Sequence, residues 1–230
     1  AGVHLCVGYM KRFDAGVRWA REAIQAWRAE GKAPTFVRAH CYGGDWVCGN
    51  DERIVTDEPY PAIEIESGGP EGWDDEAKQD VQVFANIYAH NLNLVRFLLG
   101  GEMSVLSVTP HQDHMLVALA AGDTLVSLEC GGMACQWWDE VTTTYFADGF
   151  VDVKTPSPLL RNVPACVQRY RSGANAVTES PVLPWTWSFR NQAQGFLDTV
   201  RGEVEPVNTG ADALKDLELI EEVIRRKRGL

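Results

Sequence analysis

The residues whose types and spacing best fit chemistry are Asn86, His90 and Asn93. At about 100° per residue on a helix they share one narrow stripe. The stripe borders an apolar arc of Val83, Ile87, Leu94 and Leu98, which predicts three polar groups at the edge of a core. An imidazole between two amides can take a proton from a substrate hydroxyl as a hydride leaves the same carbon. The competing reading is a core histidine satisfied by its neighbours. Lys11 and Arg12 are the second candidates. They follow an apolar run, and the end of a buried strand can present cations to a cleft. The alternative is a pair of surface cations pairing with the acidic loop of residues 43–79.

Other chemistries have weaker support. His40 and Cys41 with Cys48, or His111 with His114, are the best metal candidates. Neighbouring residues on a strand point to opposite faces, so His40 and Cys41 are poorly placed to share an ion. No metal is expected. Ser/His/Asp and Cys/His nucleophilic arrangements have no signature here. Trp46, Trp73, Trp137, Trp138, Trp185 and Trp187 can stack on a ring, though aromatic residues near sheets more often serve core or interface.

Elements that would position these residues can be read along the chain. Residues 3–9 (VHLCVGY) read as a buried strand. Asp14 then caps a helix over about 15–30 whose face carries Val17, Ala20, Ala23, Ile24 and Trp27. Residues 35–42 read as a long strand. Residues 43–79, rich in Gly, Pro, Glu and Asp, predict a long acidic loop or insertion. A helix over 80–99 follows, closed by Gly100-Gly101. The period then changes to two, predicting strands over 103–109, 114–120, 124–131, 141–147, 150–154 and 165–171. Two helices close the chain, one capped by Ser188 and one by Thr209 with Asp212 three residues on. The fold class is α+β: a large, mostly antiparallel open sheet with helices on one face, in a single domain over 1–230.

Composition limits the function. With 230 residues and 45% hydrophobic content the chain can bury a full core. A net charge of −11 argues against nucleic acid or an anionic membrane as partner. The basic run Arg225-Arg226-Lys227-Arg228 suits a helix C-terminus. No run approaches the roughly 18 apolar residues of a membrane span. No opening segment reads as a signal peptide, and the six cysteines contain no CxxC pair. A cytoplasmic location with reduced thiols is the expectation.

Three blocks carry a resemblance. The segment 7–14 (VGYMKRFD) resembles the junction that leads from the nucleotide-binding domain into the C-terminal domain of Gfo/Idh/MocA oxidoreductases. The segment 86–100 (NIYAHNLNLVRFLLG) is similar to that family's central helix, in which a histidine precedes an apolar run ending in glycine. The segments around Phe196-Leu197-Asp198, Asp212-Ala213-Leu214 and Leu219-Ile220-Glu221 resemble its closing helices. Together they span essentially the whole chain.

The resemblance implies the substrate side of an NAD- or NADP-dependent oxidoreductase acting on a sugar or polyol. Of the family's catalytic set only His90 is clearly retained; with the polar stripe and the strand-end cations, the reading makes His90, Asn86 and Lys11 catalytic and Asn93 and Arg12 substrate-binding. The resemblance also implies a homodimer paired through the sheet face. Family members begin with a Rossmann domain, yet no GxGxxG here follows a strand and opens a helix. The chain is therefore expected to bind no dinucleotide by itself, with the nucleotide domain missing or supplied by a partner. The family's Glu-Lys-Pro segment, whose lysine contributes to catalysis, has no counterpart in these residues. Asn86 stands where the family pattern has Asp, and an amide cannot stabilise an imidazolium by charge. A stand-alone cyclase, isomerase or dehydratase, or a non-catalytic assembly subunit, are the alternatives.

Overall fold

The computed structural model describes residues 3–46, 56–59, 61–62 and 68–230. Within these, a short 3-10 helix, Met10–Phe13, leads into α1, Ala15–Ala29. Asp14 starts α1 as expected: its Oδ1 accepts from the amides of Gly16 and Val17 at 2.8 and 3.2 Å. Both carboxylate oxygens also accept from the Ala165 amide, so the cap doubles as a tertiary tie to the sheet side. Gly16 permits this approach, because a Cβ there would lie 2.4 Å from the Ala165 carbonyl oxygen. The predicted face of Val17, Ala20, Ala23, Ile24 and Trp27 is buried throughout. Each large side chain on it stabilises the fold by about 1.5–3 kcal/mol.

The strands are β1 Phe36–Gly43, β2 Ser104–His111, β3 His114–Ala121, β4 Thr124–Gly132, β5 Trp138–Phe146, β6 Gly149–Lys154, β7 Cys166–Arg171 and β8 Val177–Glu179. They form one eight-stranded sheet in the order β2-β3-β4-β1-β5-β6-β7-β8. Only the β1–β4 pairing is parallel. β1 splits the two meanders β2–β4 and β5–β8, and it carries the candidate pocket's floor to the middle of the sheet. Tight turns join the meander strands where the sequence predicts them. Gly122 takes φ 59 between β3 and β4, and Ala147-Asp148 links the paired Phe146 and Gly149.

The other helices are α2 Asp75–Asn86, α3 Ala89–Leu99, α4 Ser188–Val200 and α5 Gly210–Arg228. α1, α3 and α5 cover one face of the sheet. Every residue of α3 from Asn91 to Leu99 is buried. Leu92, Val95 and Leu99 join the cluster under β1, β3 and β4, while Leu94, Phe97 and Leu98 join that of α1, β6 and β7. No helix among the described residues is long and apolar enough to cross a membrane.

Several expectations are corrected. Residues 3–9 form no strand; Cys6 makes one isolated bridge to Thr209, and Val3 and Leu5 are exposed because no neighbouring strand covers them. The helix predicted over 80–99 begins at Asp75, capped by Asp74, and breaks at Ile87-Tyr88. There the His90 amide turns to the Ile87 carbonyl at 3.3 Å, an i→i+3 bond, so α2 and α3 do not form one continuous stripe. Trp187 rather than Ser188 occupies the N-cap of α4, without a side-chain bond. Thr209 does cap α5, accepting from the Asp212 amide. β8 and the central place of β1 have no counterpart in the sequence reading. Within 43–79, residues 47–55, 60 and 63–67, Cys48 among them, lie outside the described residues, and the last residues of the segment belong to α2.

Candidate active pocket

A cavity of about 480 Å³ opens where the 3-10 helix, the α2–α3 break and the ends of β1, β4 and β5 meet. His90 and Asn86 both line it, one from each side of the break, and Lys11 lines it from the 3-10 helix. Tyr88, Trp46, Trp138 and Phe189 add aromatic walls, and Cys41 with the paired glycines Gly43 and Gly132 forms part of the strand-end floor. The cavity is within the usual range for small-molecule sites, and its mix of aromatic walls with few polar groups is typical of them.

His90 is the group most altered by this setting. Burial, then the Lys11 ammonium, push its pKa down to about 4, with Glu140 opposing. The ring is therefore neutral at pH 7. Its Nδ1 is buried and has no hydrogen-bond partner among the described residues, and the Tyr9 ring meets it edge-on at 5.9 Å. A neutral imidazole with an uncommitted nitrogen can accept or donate a proton.

Lys11 and Arg12 diverge although adjacent. The Lys11 ammonium donates to the Glu140 carboxylate, which is fully buried. Arg12 turns away from the pocket. Its Nε donates to Asn93 Oδ1 at 2.7 Å, its Nη1 donates to the Val207 carbonyl at 2.9 Å, and it pairs with Asp212 at 2.6 Å. Asn93 in turn donates to Asp216 at 2.7 Å, and Arg96 bonds both Asp216 and Asp212. Burial raises the Tyr9 hydroxyl pKa above its ordinary range, with Asp216 adding to the effect. Burial likewise raises the Asp216 carboxyl, against its donors Arg96 and Asn93. Arg12 and Asn93 thus sit in a buried ion cluster that ties the 3-10 helix to α3 and α5. The structure brings together His90, Asn86 and Lys11, and separates them from Asn93 and Arg12. Asn93 shares α3 with His90, but its amide is taken up by Arg12 and Asp216, and Arg12, about 120° round the 3-10 helix from Lys11, points into that cluster.

Asp212 entered the sequence reading only as part of the α5 cap, and Glu140 and Asp216 escaped it. Each had a signal. Alternation along β5 puts Glu140 on the same face as Phe146, and Asp216 lies three residues after Ala213 and four before Ile220 in the buried stripe of α5. A carboxylate on a core-facing position points to a buried partner.

The described residues do not fit a dinucleotide. Gly43-Gly44 and Gly131-Gly132 sit at the ends of adjacent strands, Gly68-Gly69 lies ahead of the Asp74 cap of α2, and Gly100-Gly101 follows α3. None of these pairs opens a helix whose amides could hold a pyrophosphate.

No protein-family model matches the chain, and no curated protein matches it in sequence. Solved structures do resemble it. The UDP-N-acetylglucosamine 3-dehydrogenase GnnA from Acidithiobacillus ferrooxidans superposes with a TM-score of 0.64 at 13% identity, over 97% of this chain and 61% of that one. An aldose-aldose oxidoreductase from Caulobacter crescentus, complexed with glycerol, gives 0.64 at 19% identity, over 99% and 63%. A super-repressor mutant of Gal80p from Saccharomyces cerevisiae gives 0.67 at 14% identity, over 99% and 64%. At such identities the likeness is one of fold. The chain spans less than two thirds of the length of these neighbours.

Proposed function

We propose that the chain is the substrate side of a Gfo/Idh/MocA-type oxidoreductase that acts on a sugar or polyol. In this reading NAD or NADP is held by a Rossmann domain outside these residues. The observation that carries it is the neutral His90 facing an aromatic-walled pocket beside Lys11. The dehydrogenase and aldose oxidoreductase among the structural neighbours support it.

The chain's own part is confined to the polyol. Trp46, Trp138, Tyr88 and Phe189 offer apolar faces to a sugar ring and keep water out. Asn86 offers an amide to ring hydroxyls. His90 takes the proton of the hydroxyl that is oxidised, and an N–H of Lys11 donates to the same oxygen and holds it in place. Arg12 and Asn93 act behind the pocket, not on the substrate.

The test is a calorimetric titration of the chain with myo-inositol, D-glucose and glycerol. Binding of a polyol that weakens at least tenfold in both His90→Ala and Asn86→Ala, with the fold retained, supports the reading. Absence of binding by all three probes at millimolar concentration sinks it.

A second reading, a non-catalytic subunit, is favoured by one observation: one of the structural neighbours is a super-repressor mutant of Gal80p. It predicts polyol binding without turnover in any reconstituted assembly.

The proposal includes pairing of two chains through the sheet face opposite the helices. Thr142, Thr144 and Phe146 face the helices, so their alternates Val141, Thr143 and Tyr145 face outward. Phe36, Tyr145, Phe150 and Tyr170 run across four strands of that face in file, with successive ring centroids 6.2, 6.3 and 5.7 Å apart. Leu116 and Leu125 extend the apolar surface. Two such faces can pack about 10 Å apart around a two-fold axis.

A further inference from the structure

The carboxylate of Glu140 lies beneath the pocket, fully excluded from solvent, and three donors from three different elements converge on it. Lys11 donates from the 3-10 helix, Asn91 Nδ2 from α3 at 2.7 Å, and Trp138 Nε1 from β5 at 3.0 Å. Lys11 and Trp138 themselves line the cavity, and Asn91 follows His90 on α3. An unpaired carboxylate in this place would cost several kcal/mol, so its retention in a core-facing position of β5 needs a compensating set of donors. Two of the donors found, Lys11 and Trp138, are parts of the pocket wall.

We infer that Glu140 is a positioning residue of the pocket: it holds the Lys11 ammonium and the Trp138 indole in place and balances the charge of Lys11 beside His90. An ammonium has three N–H donors, and the bond to Glu140 uses one. The carboxylate thereby aims the ammonium, and leaves donors for a hydroxyl bound against His90. A lysine without a fixed acceptor would sample many rotamers. Trp138 gains the same restraint, since an indole N–H bonded to a carboxylate fixes the plane of the ring that forms the wall. The charged groups acting on His90 are Lys11 and Glu140, with opposite effects, and Tyr9 meets the ring edge-on.

The role in a polyol pocket rests on the function proposed above, but its test uses no polyol and so succeeds or fails separately. The full chain is labelled with 13C-histidine and 15N-tryptophan and compared as wild type, Lys11→Met and Lys11→Met/Glu140→Gln. The double variant keeps side-chain volume and removes both buried charges, a change that folded proteins often tolerate. In Lys11→Met the unbalanced carboxylate should raise the His90 titration midpoint by about one unit. In the double variant it should fall back toward the wild-type value. The Trp138 indole N–H resonance should stay near its wild-type position in Lys11→Met, then shift and exchange at least tenfold faster in the double variant. If Lys11→Met does not fold, the indole resonance of the double variant against wild type decides alone. An unchanged Trp138 indole in the double variant, or a His90 midpoint that ignores the loss of Glu140, overturns the inference.

Discussion

Arg12 Nε donates to Asn93 Oδ1 at 2.7 Å across 81 residues of sequence, and both side chains are almost wholly buried. That bond, with the Asn93–Asp216 bond behind it, clamps the 3-10 helix against α3 and α5 and so sets where Lys11 enters the pocket. Removing one partner leaves the others desolvated and unpaired. Asp216→Ala should cost about 3–5 kcal/mol, and Asn93→Ala about 1–3 kcal/mol. Urea unfolding measures both, and a loss below 0.5 kcal/mol in Asp216→Ala, on the order of an ordinary surface change, would show the cluster to be unimportant.

His90 should make the chain acid-sensitive in a defined window. Its folded pKa of about 4 lies below the ordinary 6.5, so the unfolded chain binds a proton that the folded chain refuses. Stability from this group is full above about pH 6.5 and is lost as pH falls toward 4. Between pH 7 and pH 4.5 the wild type should lose about 2 kcal/mol more than His90→Gln. Parallel urea titrations of the two proteins check this; equal losses would mean that the ring is not desolvated.

The isolated chain should bind neither NAD nor NADP. A dinucleotide needs amides at a helix N-terminus for its pyrophosphate. Among the described residues, Gly43-Gly44 and Gly131-Gly132 sit at strand ends and Gly100-Gly101 closes a helix instead of opening one. Calorimetry with each nucleotide should give no heat of binding, and low-micromolar affinity for either would refute the expectation.

Self-association through the sheet should depend on its aromatic file. Light scattering is expected to give twice the 25.5 kDa chain mass at micromolar concentration. Tyr145→Lys places a charge at the middle of the file and should return the chain to the monomer mass. A wild type that stays at the monomer mass as concentration rises would exclude the interface.

Much of this molecule is legible in its sequence because much of it is local. The cap at Asp14, the stripe of α1, the Thr209 cap and the alternating strands from Ser104 to Arg171 depend on neighbours a few residues apart, and they stand where periodicity puts them. His90, Asn86 and Lys11 could be singled out as polar residues beside apolar patterns. The stripe placed Asn86 beside His90, but the arrival of Lys11 could not be read, nor the departure of Arg12 and Asn93. The break at Ile87-Tyr88 carries no proline or glycine to announce it, and it leaves Asn86 and His90 on two different helices that still face one cavity. The partners of these groups lie far off in sequence: Glu140 is 129 residues from Lys11, and Asp216 is 123 from Asn93. A charge on one strand and a charge on a turn become a pair only when the sheet order puts β5 beside β1 and the 3-10 helix over its end. That juxtaposition belongs to tertiary packing, because burial makes each lone charge costly until the fold supplies its counterpart.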